Sequence, residues 1–126
     1  MRVPAFMVRQ FTVPGSLRNE PDGGFSIQAR NGLADGLLVG IGRITVDAMP
    51  IEPGAITATR EGEPAVYRAV DVSRHAPVPF RRGDVVTFHV AGLALRPGDH
   101  DLEVELIERD LGAVSLGFRE TLAQGW

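Results

Sequence analysis

Asp101-Leu102-Glu103-Val104-Glu105-Leu106 is the stretch whose reading decides the fold. Leu102, Val104 and Leu106 alternate with three carboxylates. A period of two sends the apolar set to one face of a strand and the charged set to the other. Three more segments repeat the pattern. Phe25, Ile27 and Ala29 alternate with Ser26, Gln28 and Arg30; Val86, Phe88 and Val90 with Thr87 and His89; and Val114, Leu116 and Phe118 with Ser115, Gly117 and Arg119. Strands buried on one side only are usually antiparallel.

Weaker strand patterns cover Phe6 to Val13, Leu37 to Asp47 and Ala55 to Arg60. In the second, Gly40 and Gly42 break the phase and suggest a bulge or a close backbone approach. Ala65 to His75 is the one helical candidate, of one or two turns. The turns have their own chemistry. Pro21-Asp22-Gly23-Gly24 reads as a tight reversal, Pro53-Gly54 and Pro97-Gly98 as type II turns, and Arg82-Gly83-Asp84 as the start of a strand. Seven or eight short strands separated by such turns predict an all-β fold, a single antiparallel β-sandwich domain over residues 1–126.

The composition narrows the chemistry. A chain of 126 residues holds one core. It has no cysteine, so disulfide frameworks, thiolate nucleophiles and Cys-based metal sites are excluded. Every one of its 13 basic residues is arginine, so Schiff-base, Walker and general-base lysines are excluded too. A net charge of −3 argues against nucleic acid as a partner. No apolar run is long enough for a signal peptide core or a bilayer span, so a cytoplasmic domain without membrane contact is expected.

The candidate site residues each have a plain structural alternative. His75, His89 and His100 lack metal-ligand spacing, although a single histidine can serve as an acid or base. Asp99, Asp101, Glu103 and Glu105 fall on one strand face. They can bind calcium with loop carbonyls, act as a glycosidase-like acid pair, or form a solvated face that discourages edge pairing. Calcium loops collect their ligands from a turn, which favours the solvated face. Gly36 to Gly42 is glycine-rich, but no helix follows to meet a phosphate, so it reads as a bulged core strand. Tyr67 and Trp126 are the only Tyr and Trp, a poor platform for stacking sugars. Pro77-Val78-Pro79-Phe80-Arg81-Arg82 is held extended by its prolines. It reads either as an interface anchor with an exposed Phe80 beside arginine, or as a loop in which Phe80 closes the sandwich end.

Two longer runs resemble a known family. Gly15-Ser16-Leu17-Arg18-Asn19-Glu20-Pro21-Asp22-Gly23-Gly24-Phe25-Ser26-Ile27-Gln28-Ala29-Arg30-Asn31 and Ala76 to Asp84 resemble the small (β) subunits of bacterial C-glycoside deglycosidases. Leu95 to Val104 looks like a later strand of the same proteins. The resemblance covers Met7 to Glu108. It implies a non-catalytic β-sandwich subunit of a heteromeric lyase in carbohydrate metabolism. The partner it implies is an α subunit shaped like a sugar-phosphate isomerase barrel, which carries a divalent metal, typically Mn2+, and holds the 3-oxo-C-glucoside substrate. That pair cleaves the carbon–carbon bond to an aromatic aglycone by elimination. No cofactor and no catalytic residue falls to this chain. The competing readings are a stand-alone sugar-binding module and a small sandwich enzyme that uses its carboxylates. Arg18, Asn19, Phe80, Arg81 and Arg82 are the expected partner-binding residues. Truncating Phe80 or Arg81 is expected to weaken assembly and spare the fold.

Overall fold

Backbone pairing follows the alternation in the computed structural model, which describes residues 1–123. The strands are β1 (Arg18–Asn19), β2 (Phe25–Arg30), β3 (Gly36–Val46), β4 (Met49–Pro50), β5 (Ile56–Arg60), β6 (Val66–Arg68), β7 (Val78–Phe80), β8 (Val85–Val90), β9 (Gly98–Glu108) and β10 (Gly112–Leu122). One sheet has the order β1-β2-β8-β5-β6; the other has β10-β9-β3-β4, with β7 also pairing to β3. All these pairs are antiparallel. The all-β sandwich is therefore as expected. There are ten strands in place of seven or eight; β1, β4, β6 and β7 are each too short to display an alternation.

The inner faces meet in one core. Phe25, Ile27, Ile56 and Phe88 come from the first sheet, and Ile44, Val46, Leu102 and Val104 from the second. Fully burying a side chain of this size stabilises by about 1.5–3 kcal/mol relative to exposure. β3 bends over this core through two register shifts, one between Leu38 and Gly40 and one between Ile41 and Ile44. A Cβ on Gly40 would come within 2.9 Å of the Ile107 side chain, which packs over the glycine, and one on Gly42 within 3.0 Å of the Glu105 carbonyl oxygen, where the two backbones come close.

Several local expectations are corrected. Phe6 to Val13 is not a strand: Ala5–Gln10 forms a 3₁₀ helix. Pro4 precedes it with φ −60°, and its carbonyl accepts the Met7 N–H at 2.9 Å. Only the end of the segment pairs with a sheet, where Thr12 bridges Ala29 and the Phe11 carbonyl accepts the Arg30 N–H at 2.9 Å. Ala65 to His75 gives strand β6 and then a single 3₁₀ turn, Ala69–Asp71, because the free edge of β5 at Thr57–Thr59 supplies pairing partners. Pro53-Gly54 opens a 3₁₀ turn, Pro53–Ala55, not a type II turn, and Gly54 keeps a negative-side φ. The carboxylate row of β9 does not guard an edge, since β9 lies between β10 and β3. Asp101 pairs with Arg119 at 2.9 Å, Glu103 with Arg2, and Asp99 accepts the Thr121 hydroxyl. Among the described residues no helix is long and apolar enough to cross a membrane.

The β3–β4 connection turns on Asp47 and Ala48, with φ of 50° and 66°. Both central residues of a type I′ turn need positive φ, and alanine pays for this with a Cβ clash that glycine avoids. Ala48→Gly is therefore expected to stabilise the chain by about 1 kcal/mol. Urea denaturation checks this; a lower midpoint for the variant refutes it.

Candidate functional site

Where β2 ends and β3 begins, the sandwich opens into a cavity of 560 Å³ between the sheets. Its walls are apolar: Ala29, Leu38, Phe80, Leu106 and Leu116 from the strands, with Val3, Met7 and Phe11 from the N-terminal segment. Residues 1–3 run beside β10, with the Val3 N–H donating to the Ser115 carbonyl at 2.9 Å, and so roof one side. In a 3₁₀ helix side chains three apart share a face. Pro4 and Met7 accordingly line the cavity together.

The mouth is built by two polar side chains. Asn31 is 5 % exposed, and its amide nitrogen donates to the carbonyls of Ala34 at 2.6 Å and Phe80 at 2.7 Å. Its side-chain oxygen accepts the Leu33 N–H at 3.1 Å. Asn31 thus ties the β2–β3 turn to β7. Glu108 accepts backbone N–H groups from Leu37 at 3.0 Å, Asp110 at 2.8 Å and Leu111 at 3.0 Å. Burial pushes its carboxyl upward, but these N–H donors together outweigh burial and hold it below the ordinary glutamate range. Glu108 therefore stays ionised and fixes the β9–β10 turn. The two turns present Leu33 and Leu111, 45 % and 62 % exposed, at the rim. Phe6, between the lining residues Pro4 and Met7 in sequence, is 84 % exposed and is not part of the lining. Exposed apolar groups gathered around a cavity mark a binding surface.

The expected partner-binding residues divide between two places. Arg81 and Arg82 stand exposed at this end, their N–H groups held by Asp84 at 2.8 Å and Asp35 at 3.0 Å. Phe80 is not an exposed anchor. It is 6 % exposed and belongs to the core cluster, because its place opposite Gly36 on β3 turns its ring inward. Arg18 and Asn19 pair with the far end of β2, at Ser26 and Phe25. At about 3.3 Å per residue they lie roughly 15–20 Å along the strand from Asn31. The Asn19 amide is engaged on both sides with the Leu95 backbone, at 2.8 Å each.

The histidines sit elsewhere. His89 bridges strands on the outer face of the first sheet, with Nδ1 at 2.8 Å from Glu20 and Nε2 at 3.0 Å from the Thr59 hydroxyl. This order of groups resembles a nucleophile, base and orienting acid. It lies on the open sheet face, outside the lining of the cavity, and serves to join β5, β8 and the β1–β2 turn. His100 stands between the Arg96 carbonyl and Asp47, both at 2.7 Å. His75 is exposed. Among the described residues no three of His, Asp and Glu come together as a metal site. Trp126 lies outside the described residues.

A family model described as hydroxymethylglutaryl-CoA reductase, N-terminal domain, matches residues 7–123. The chain belongs to that family. No curated protein matches the chain. The match overturns the deglycosidase resemblance, together with the lyase reading built on it, over the same part of the chain. The structure gives a physical reason for the false likeness. Pro21 to Gly24 forms the β1–β2 reversal, closed by Glu20 N–H to the Gly24 carbonyl at 2.7 Å, and Arg82-Gly83 is the turn before β8. Any sandwich with hairpins at these points selects such residues, whatever its family.

Two predictions follow from these contacts. Phe80→Ala is expected to cost about 3–5 kcal/mol of stability, measured by denaturation of the isolated chain. A loss under about 1 kcal/mol would restore the surface-anchor reading. The second concerns pH. Both ring nitrogens of His100 face acceptors, which only the imidazolium satisfies. The Arg96 carbonyl first, and the Asp47 carboxylate second, raise its pKa above the ordinary value. The His100 hydrogen bond, then the Asp101 N–H, lowers that of Asp47. The histidine contribution is complete below the unfolded imidazole pKa of about 6.5 and is lost as pH rises through the folded value. The aspartate contribution is complete above about 4 and is lost as pH falls through its depressed folded value. The stability difference between the parent chain and His100→Gln should therefore be largest near pH 5–6 and shrink toward pH 8. A difference independent of pH refutes the clamp.

Proposed function

We propose that this chain is a non-catalytic association domain, which receives an apolar side chain from a protein partner in the cavity at the β2–β3 end. The observation that carries this reading is the cavity itself: 560 Å³, apolar-walled, and ringed by the exposed side chains of Leu33 and Leu111. Arg81 and Arg82 flank the mouth and belong to the proposed contact, where arginine can pair bidentately with a partner carboxylate. The family description names a domain of hydroxymethylglutaryl-CoA reductase. Within such an enzyme we assign this domain to association and the hydride chemistry to another part. The lining supports that division: Ala29, Leu38, Phe80, Leu106 and Leu116 offer no acid, base or donor to polarise a thioester carbonyl.

A neutral fluorescent probe, N-phenyl-1-naphthylamine, tests the cavity without a partner. The chain is expected to bind it with enhanced fluorescence. Ala29→Leu, which adds volume at the wall, should weaken binding about tenfold and leave the melting temperature equal or higher. Probe binding unaffected by Ala29→Leu would show that the cavity is not the receiving site.

A further inference from the structure

We propose that the cavity at the β2–β3 end is a binding site for a small anionic amphiphile: a linear carboxylate whose hydrocarbon tail enters between the sheets while its head stays among the arginines of the mouth. This goes beyond the association reading above, because the ligand is a free small molecule and needs no partner protein. Three observations carry it.

The first is the lining. Ala29, Leu38, Phe80, Leu106 and Leu116 give the walls between the sheets no hydrogen-bonding side chain. A polar group placed against them would lose its water and gain no partner. The inserted part of a ligand must therefore be hydrocarbon.

The second is volume. An apolar cavity of about 150 Å³ holds one benzene, roughly 25 Å³ for each carbon. On that scale a ten-carbon tail takes about 250 Å³. The 560 Å³ between the sheets accepts such a tail and leaves it room to bend.

The third is the balance of engaged and idle charge at the mouth. Arg30 borders the cavity. Arg82 donates its backbone N–H to Asp35, which also borders it, and Arg81 directly follows Phe80 of the wall. All three arginines are exposed, and among the described residues none makes an ion pair. The carboxylates of the same rim are answered within the chain. Glu108 accepts three backbone N–H groups, Asp110 pairs with Arg109 at 3.4 Å, and Asp35 accepts the Arg82 N–H. What the rim lacks is an acceptor for its guanidinium groups, and a carboxylate supplies one in bidentate geometry. A single negative charge also suits a rim that keeps three carboxylates better than the larger charge of a phosphate monoester.

A tail in the cavity excludes a partner's side chain, so the ligand acts on association by competition; this consequence alone rests on the association reading. Titration calorimetry of the full chain with decanoate, held below its critical micelle concentration, tests the proposal. Decanoate is expected to bind and to displace N-phenyl-1-naphthylamine. Each methylene added from octanoate to dodecanoate should tighten binding about threefold to fourfold. A variant carrying Arg30→Gln, Arg81→Gln and Arg82→Gln should bind decanoate about tenfold more weakly and decanol as well as the parent chain does. Undiminished decanol binding shows that the cavity is intact and that only recognition of the head is lost. A parent chain that does not bind decanoate overturns the proposal, as does affinity indifferent to tail length. So does a variant that keeps its affinity for decanoate, or one that loses decanoate and decanol alike. The naphthylamine probe separates this from the association reading. A probe that binds, is weakened by Ala29→Leu and is not displaced by decanoate removes the amphiphile and leaves the receiving cavity. Failure of both probe and decanoate to bind removes both.

Discussion

Two sheets stay about 10 Å apart only while side chains from both fill the gap. That constraint governs this molecule. Phe25 and Phe88 on one sheet, and Ile44 and Leu102 on the other, fill the middle completely. At the β2–β3 end the filling fails. Ala29 and Gly36 both border that end, and neither has the bulk to span the space. The N-terminal segment covers part of the opening with Val3, Met7 and Phe11. The cavity is therefore a consequence of where the small residues fall along otherwise regular strands.

The polar groups at that end work to keep the opening in shape. Asn31 is buried with its hydrogen-bonding capacity largely used, and a buried amide with partners is worth more as a positioning device than as a net source of stability. Glu108 does the same for the neighbouring turn. Arg60 extends the pattern, bonded to Glu63 and to Asp84, whose carboxylate also holds the Arg81 N–H. The Arg60 hydrogen bond holds Asp84 below the ordinary aspartate range despite partial burial. Among the described residues the Arg60 Nε is buried without a hydrogen-bond partner.

The legible part of the fold was the part with a period. β2, β8, β9 and β10 could be read residue by residue, since one face of each is buried and the other wet. Gly40 and Gly42 marked the irregular course of β3 because a missing Cβ lets strands approach. Phe6 to Val13 misled because an apolar segment does not declare whether its backbone pairs with a sheet or with itself; Pro4 settles that, and its effect reads equally well as a loop. The site was largely illegible. A cavity is a difference between facing surfaces, and no single strand contains it. Phe80 looked exposed because its neighbours are proline and arginine, whereas its burial is set by pairing with β3, more than forty positions away in sequence. The Asn31-Gly32 turn dipeptide was the available signal for the mouth. Turn chemistry is shared too widely for that dipeptide to mark a cavity mouth or to separate families.

The strand lengths carry a different consequence. Four of the five outer strands, β1, β4, β6 and β7, are two or three residues long. β10 is the exception, with 11 residues at the border of its sheet. Residues 1–3 occupy its border near Ser115, and Glu120 further along accepts the Gly15 N–H at 3.0 Å. Short outer strands give an incoming chain too few carbonyls and amides to template on, and the long one is partly sealed and studded with Arg119 and Glu120. The domain can thus offer a greasy opening at one end without becoming adhesive along its flanks, and what it sticks to is selected by side chains, not by exposed backbone.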